Sequence, residues 1–220
     1  MTSEPVRDPA TDHLLTPENC LLALVDFQPV QVGSVKSMDH DLLVANVVRV
    51  AETARTFGLP IVLSTVNVAT GANEPTIGRL ADVLTGVDPI DRTTMNSWED
   101  VDFRRAVEAT GRKKLVRAAL WTEVCLTFPL LDAIRDGYEA YPVVDAVGGT
   151  SREAHRAGLA RLLQAGARPV SGAQFLCELQ RDWARTATVA SFKQLLSARR
   201  EQTGYPPPPR SPAAHGEPEV

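Results

Sequence analysis

Three cysteines in 220 residues, Cys20, Cys125 and Cys177, are too few and too scattered for a disulfide framework, and no CxxC pair occurs. That usage points to a reduced, cytoplasmic protein. No apolar run approaches ~18 residues, so no membrane-spanning helix is expected, and no basic-then-apolar leader opens the chain. No lysine and arginine run is long enough to mark a basic patch, and the net charge is −4, which argues against nucleic acid as a partner. The four histidines, His13, His40, His155 and His215, include no pair at metal-ligand spacing. Zinc and Cys–His catalysis are therefore disfavoured and no metal is expected. GxGxxG and P-loop fingerprints are missing, so Gly148-Gly149-Thr150 reads as a turn and no cofactor is expected.

What is present is ordinary globular composition, 44% hydrophobic and 23% charged, in a length that suits one domain. Residues 1–15 read as a flexible polar segment, 16–203 as the folded domain, and 204–220 as a disordered tail, whose proline run PPPPRSP starts at Pro206. Within the domain the hydrophobic period alternates. Leu21–Phe27 is a short, nearly continuous apolar run of the kind a buried parallel strand shows. Asp39–Gly58 follows as a helix, with Leu43, Val47, Val50, Ala51, Ala54 and Phe57 on one face and Gly58 as its stop. Further strands are expected at 60–66, 114–120, 140–147 and 168–171, with a short extended piece at 87–91. Helices are expected at 99–110, 122–136 and 151–165, with one or two more in 174–200. This alternation predicts an α/β fold of three layers, α/β/α, around a mainly parallel sheet. Ligands in such sheets bind beyond the carboxyl ends of the strands.

That rule selects the candidate residues. Asp26 ends the first strand, where a carboxylate points at the crevice; the alternative is a helix cap or a loop-fixing acceptor. A receiver-like phosphoacceptor would need paired acids just upstream, and these are missing. Cys125 lies in WTEVC, at the turn from a strand into a helix. A helix amino terminus favours thiolate over thiol and can receive an oxyanion, although most buried cysteines only pack. Cys20 and Cys177 fail the strand-end criterion and read as packing residues. Arg92 follows the 87–91 segment; an arginine keeps its proton, so it can hold a thiolate or orient Asp26, or else be a solvated loop residue. Phe27, Gln28, Trp98 and Thr122 are candidates for lining a pocket, with Phe128 and Trp183 behind them, and each has a plain core reading as well. Arg117 stands mid-strand where an apolar residue is expected and requires a buried partner.

Taken together, LLALVDFQ, DRTTMNSWEDVDFRRAVEATGRKKLV, TEVCLTFPLLDAIRDGYE and CELQRDW resemble the isochorismatase-like cysteine hydrolases, most closely their YcaC-like branch, over roughly Pro17 to Arg185. The resemblance implies a triad of Asp, cation and Cys, matched here by Asp26, Arg92 and Cys125. It also implies a cis peptide at Leu120–Trp121 and an oxyanion hole from the Trp121 and Cys125 N–H groups. Ala119, where Gly is common, and Trp121, where a small aliphatic residue is usual, depart from the pattern, and the indole should reshape the pocket. The implied activity is hydrolysis of a small amide-type substrate at its C–N bond through a cysteine thioester. Isochorismate itself is less expected, because hydrolases of that vinyl ether use no nucleophilic cysteine. A homo-oligomer is implied too, with an octamer as one candidate. Two other classes stay open: a redox-reactive thiol protein, and a catalytically silent binding or assembly module. Release of ammonia from an amide would separate the hydrolase from both.

Overall fold

The computed structural model describes residues 7–203; residues 1–6 and the Pro-rich tail at 204–220 lie outside the described residues. β1 (Cys20–Val25) is buried along its whole length because it lies in the middle of the sheet with both faces covered. A short helix, α1 (Pro29–Ser34), follows with proline at its start, and then α2 (His40–Thr56), whose first turn is capped by the Asp39 carboxylate accepting from the Leu42 N–H. α2 lays Leu43, Val47, Val50, Ala51 and Ala54 against the sheet and ends before Gly58, whose φ of 67° suits only the left-handed turn that stops it. β2 (Ile61–Val66), α3 (Gly78–Val83) and β3 (Ile90–Arg92) complete one half. The second half runs through a 3₁₀ turn at Ser97–Glu99, α4 (Val101–Ala109), β4 (Lys114–Ala119), a π-turn at Thr122–Leu126, α5 (Thr127–Arg135) and β5 (Glu139–Pro142). α6 (Arg152–Gln164), α7 (Gly172–Gln180) and α8 (Val189–Thr203) close the chain.

All strand pairs are parallel, in the order β3-β2-β1-β4-β5. α2 packs with α3, α7 and α8, while α5 packs with α6 and, through the 3₁₀ turn, with α4, so the sheet is sandwiched as a three-layer α/β/α fold. β1 and β4 are neighbours although β2 and β3 intervene in sequence. The chain direction therefore switches between them, and a crevice opens at their carboxyl ends.

Four expectations change. The strand at 140–147 ends at Pro142, and the one at 168–171 shrinks to a single bridge between Val143 and Val170. Pro142 and Pro169 have no N–H to give the ladder, so only scattered bonds such as Val170 N–H to Pro142 C=O survive. The flexible segment does not extend through residues 8–15. The Lys114 ammonium, itself buried, donates to the carbonyls of Asp12 and Leu14, Asn19 donates to the same two, and the Leu15 N–H donates to Glu178. Cys177 is exposed on α7, whereas Cys20 is buried as expected.

Candidate active site

Asp26 is the first residue beyond β1, and its φ of 61° is a left-handed conformation that Asp and Asn tolerate better than most residues. Its N–H still pairs with the Ser64 carbonyl at 3.0 Å, so β2 holds the residue in place as the chain turns. Arg92, the last residue of β3, reaches across to donate from Nη2 to Asp26 Oδ2 at 2.5 Å, and both side chains are fully buried. Its Nη1 donates to the Thr94 carbonyl at 2.5 Å, which fixes the fork from the other side. Among the described residues Arg92 Nε has no hydrogen-bond partner, while the Asp26 carboxyl shares a side-chain hydrogen bond with the Cys125 thiol.

Cys125 comes from the other side of the switch. The turn that carries it is wound as a π-turn rather than as the regular helix start expected at 122, and such widened turns recur at functional sites. The Leu120–Trp121 peptide just ahead of it is cis. Burial pushes the Cys125 thiol up to about 12, the Asp26 charge adds to this, and Arg92 and Arg117 pull it down. Burial also raises the Asp26 carboxyl, against the pull of Arg92. Two groups that each resist ionisation, side by side in one crevice, are suited to trading a single proton.

The remaining candidates divide. Trp121 is half-buried with its indole N–H donating to Ser34 Oγ at 2.7 Å, so α1 holds the ring at the turn. Thr122 is buried, with Oγ1 paired to His155 Nδ1 at 2.8 Å and its N–H donating to the Gly148 carbonyl. Gln28 turns out to brace a loop: Nε2 donates to the Val66 and Glu74 carbonyls and Oε1 accepts from the Val66 N–H. Phe27 is a buried core residue. Trp98 is a core residue too, its ring edge-on to Tyr138 and Phe103 and its N–H on Asp136, toward the amino end of β5. Phe128 lines a groove with Met95, Leu131 and Arg161, and Trp183 is 64% exposed against Phe192.

Sequence reasoning passed over several residues that shape the turn. Glu123 Oε1 accepts from both the N–H and the hydroxyl of Thr150, tying the turn to the loop that enters α6. A Cβ at Gly149 would sit 2.6 Å from Glu123 Oε2, and one at Gly148 would sit 2.6 Å from Val35 Cγ1, so both glycines are there for close approach. Arg117 proves fully buried, with Nη2 donating to Ser97 Oγ at 2.7 Å and to the Cys125 carbonyl at 2.9 Å, and with the guanidinium over the Phe103 ring. Nothing in a single sequence placed Ser97 or Cys125 C=O opposite it. Proline four residues after Cys125 was a readable hint, since it takes away the donor that carbonyl would otherwise meet.

Residues 20–174 match the isochorismatase domain. The probable hydrolase YcaC of Escherichia coli K12 is 35% identical over 170 residues, which cover 77% of this chain and 81% of that protein. YcaC from Pseudomonas aeruginosa, solved with hexane-2,5-diol and covalent acrylamide, superposes with a TM-score of 0.76 at 30% identity, over 86% of this chain and 98% of its own. The E. coli YcaC gene product, solved as an octameric hydrolase of unknown specificity, gives 0.76 at 29% identity, over 91% and 100%. With its sheet order, its Asp–Arg pair at the switch point and this breadth of likeness, the chain belongs to the isochorismatase family, as a hydrolase of the YcaC-like kind.

Proposed function

We propose that the protein hydrolyses the C–N bond of a small amide-type substrate, with Cys125 as nucleophile, Asp26 as general acid and base, and Arg92 as the fixed cation. The observation that carries this reading is the fully buried Arg92–Asp26 pair at 2.5 Å, set at the carboxyl ends of the strands beside a thiol whose ionisation it influences. Because burial holds Cys125 near 12, its proton stays on sulfur until attack begins. Asp26 then takes that proton while sulfur bonds to the carbonyl carbon, and the negative charge moves to the carbonyl oxygen. We assign the Trp121 and Cys125 N–H groups as donors to that oxyanion, on the family resemblance and their place at the turn. Collapse breaks the C–N bond, and Asp26 returns the proton to the leaving amine or ammonia. Water, deprotonated by Asp26, adds to the thioester, which releases the acid and returns the proton to sulfur.

The P. aeruginosa relative carries a covalent acrylamide, an electrophilic amide of the kind a thiolate adds to, and Cys125 is the position we take to react in this chain. A nucleophile that must remain reduced suits a cytoplasmic setting. The octameric E. coli relative supports a homo-oligomer here.

The test is ammonia release from a panel of small primary amides by the wild type, Cys125→Ala and Asp26→Asn. Turnover should vanish in Cys125→Ala and fall by roughly 10²–10⁴ in Asp26→Asn, the range general acid–base groups contribute. Turnover that survives Cys125→Ala would overturn the reading. A wild type whose Cys125 labels readily but releases nothing would favour a redox thiol or a silent binding module.

A further inference from the structure

Arg117 stands in the middle of β4, the largest side chain to be fully buried. A buried guanidinium normally sits on a carboxylate, because an unpaired one is costly to take out of water. Among the described residues no Asp or Glu forms a salt bridge with Arg117, and its Nε and Nη1 have no protein partner. Its two hydrogen bonds from Nη2 go to Ser97 Oγ and to the main-chain carbonyl of Cys125. Burial lowers the guanidinium to about 9, which leaves it cationic at neutral pH.

That carbonyl has a particular need. In a helix the C=O of one residue accepts from the N–H four residues on. Four on from Cys125, at the α-helical spacing of α5, is Pro129, which has no N–H to offer that carbonyl, and Arg117 Nη2 donates to it instead. Charge leads to the same residue. The ionisable groups that act on Cys125 from the strands packed about it are Asp26 from the end of β1, Arg92 from β3 and Arg117 from β4. One carboxylate against two guanidinia leaves a net positive charge, which a thiolate at Cys125 cancels and a thiol does not.

We infer that Arg117 is a positioning residue for Cys125: its guanidinium supplies the donor that Pro129 denies to the Cys125 carbonyl, and its buried charge favours thiolate over thiol. The inference rests on Cys125 being the nucleophile proposed above. Arg117 does not touch the reacting sulfur and takes no proton in the reaction; it sets the place and the charge of the group that does.

The experiment uses the full chain and follows iodoacetamide labelling of each cysteine by mass spectrometry across pH, with thermal melts as the check on folding. Arg117→Gln keeps a hydrogen-bond donor and removes the charge, while Arg117→Lys keeps the charge. The Gln variant should label Cys125 roughly tenfold more slowly than the wild type at each pH between about 7 and 9, the change that one unit in thiol acidity gives. The Lys variant should label within about twofold of the wild type. Pro129→Ala, which restores an N–H, should recover part of the turnover lost in Arg117→Met without restoring the labelling rate. A Gln variant that folds and labels at the wild-type rate overturns the inference. If Gln fails to fold, a Lys variant that labels tenfold more slowly overturns it equally, since the charge alone would then not suffice. If wild-type Cys125 is dispensable for turnover, the hydrolase reading itself fails, and that outcome is distinct from both.

Discussion

Gln28 shows how a side chain two residues from Asp26, the proposed acid and base, can serve the loop instead of the substrate. Its carboxamide makes three hydrogen bonds to backbone groups of residues 66 and 74, all across the strand end rather than into the crevice. Gln28→Ala removes these three part-buried bonds, and a loss of about 1 kcal/mol is expected from the urea midpoint, unlike the near-neutral result of trimming a pocket-lining residue. Asp26, Arg92 and Cys125 could be singled out in the sequence because each ends a strand or lies in the turn that follows one, a local signal. It could not place Gln28, Trp98 or Arg117, whose partners lie 38 residues away, 38 away and 20 away along the chain. The cysteines give a second expectation at this scale. Cys177 is exposed and Cys20 and Cys125 are buried, with both buried thiols pushed up to about 12. Brief labelling at pH 8 should therefore modify Cys177 first, and Cys125 should gain on Cys20 only because the crevice opens to it. Equal labelling of Cys20 and Cys125 would mean that crevice is closed.

At the scale of elements, the contact between α6 and the π-turn bears on the position of Cys125, the proposed nucleophile. Gly158, in the middle of α6, lies so close to the turn that a Cβ there would be 3.0 Å from Glu123 Cα and from Thr127 Oγ1, and 3.2 Å from Glu123 N. Gly158→Ala brings two opposing effects: alanine favours the helix by up to about 1 kcal/mol, and the crowding costs on the order of 1–3 kcal/mol. They nearly cancel in stability but not in geometry, since two of the three atoms met belong to backbone and the turn must move. The expected outcome is a melting temperature within a few degrees of the wild type and turnover lowered roughly tenfold, because small misplacements of reacting groups are costly. Unchanged turnover would show that the turn tolerates the shift. This contact was not legible beforehand, because a glycine inside a helical pattern looks the same whether or not another backbone presses on it. Long elements with many apolar positions, β1 and α2 above all, were legible. The six-residue helices α1 and α3 were not, having too few turns to show a period. The π-turn was read as ordinary helix because its side-chain spacing over five residues barely differs from 3.6.

For the molecule as a whole, stability should depend on pH through the charges the fold has buried. His155 is half-buried, paired through Nδ1 with Thr122, and burial lowers its pKa below the ordinary 6.5, with Glu123 pulling up and Arg156 pushing further down. The native state therefore binds fewer protons there than the unfolded chain. The stability tied to this neutral imidazole is complete above pH ~6.5 and is lost as pH falls toward the depressed native value. Asp26 acts with the opposite sign: burial raises it above 3.8, so its contribution is complete below that value and lost as pH rises through the native one. A plain melting curve sums the two, and the separation comes from His155→Gln, which keeps a polar partner for Thr122 but does not titrate. Subtracting its melting temperatures from the wild type's, between pH 7 and pH 5, isolates the imidazole. Solvent still reaches part of that ring, so screening should keep the difference below about 1 kcal/mol, or roughly 2–4 °C in a domain of this size. The comparison holds only at one protein concentration, since an assembly like the octameric relative's would make melting depend on it. A wild type that loses no stability relative to His155→Gln on acidification would show that the folded protein takes up this proton as readily as the unfolded chain, so that the ring is protonated at pH 5. The Thr122 hydroxyl could then only accept from it, at the turn that carries Cys125.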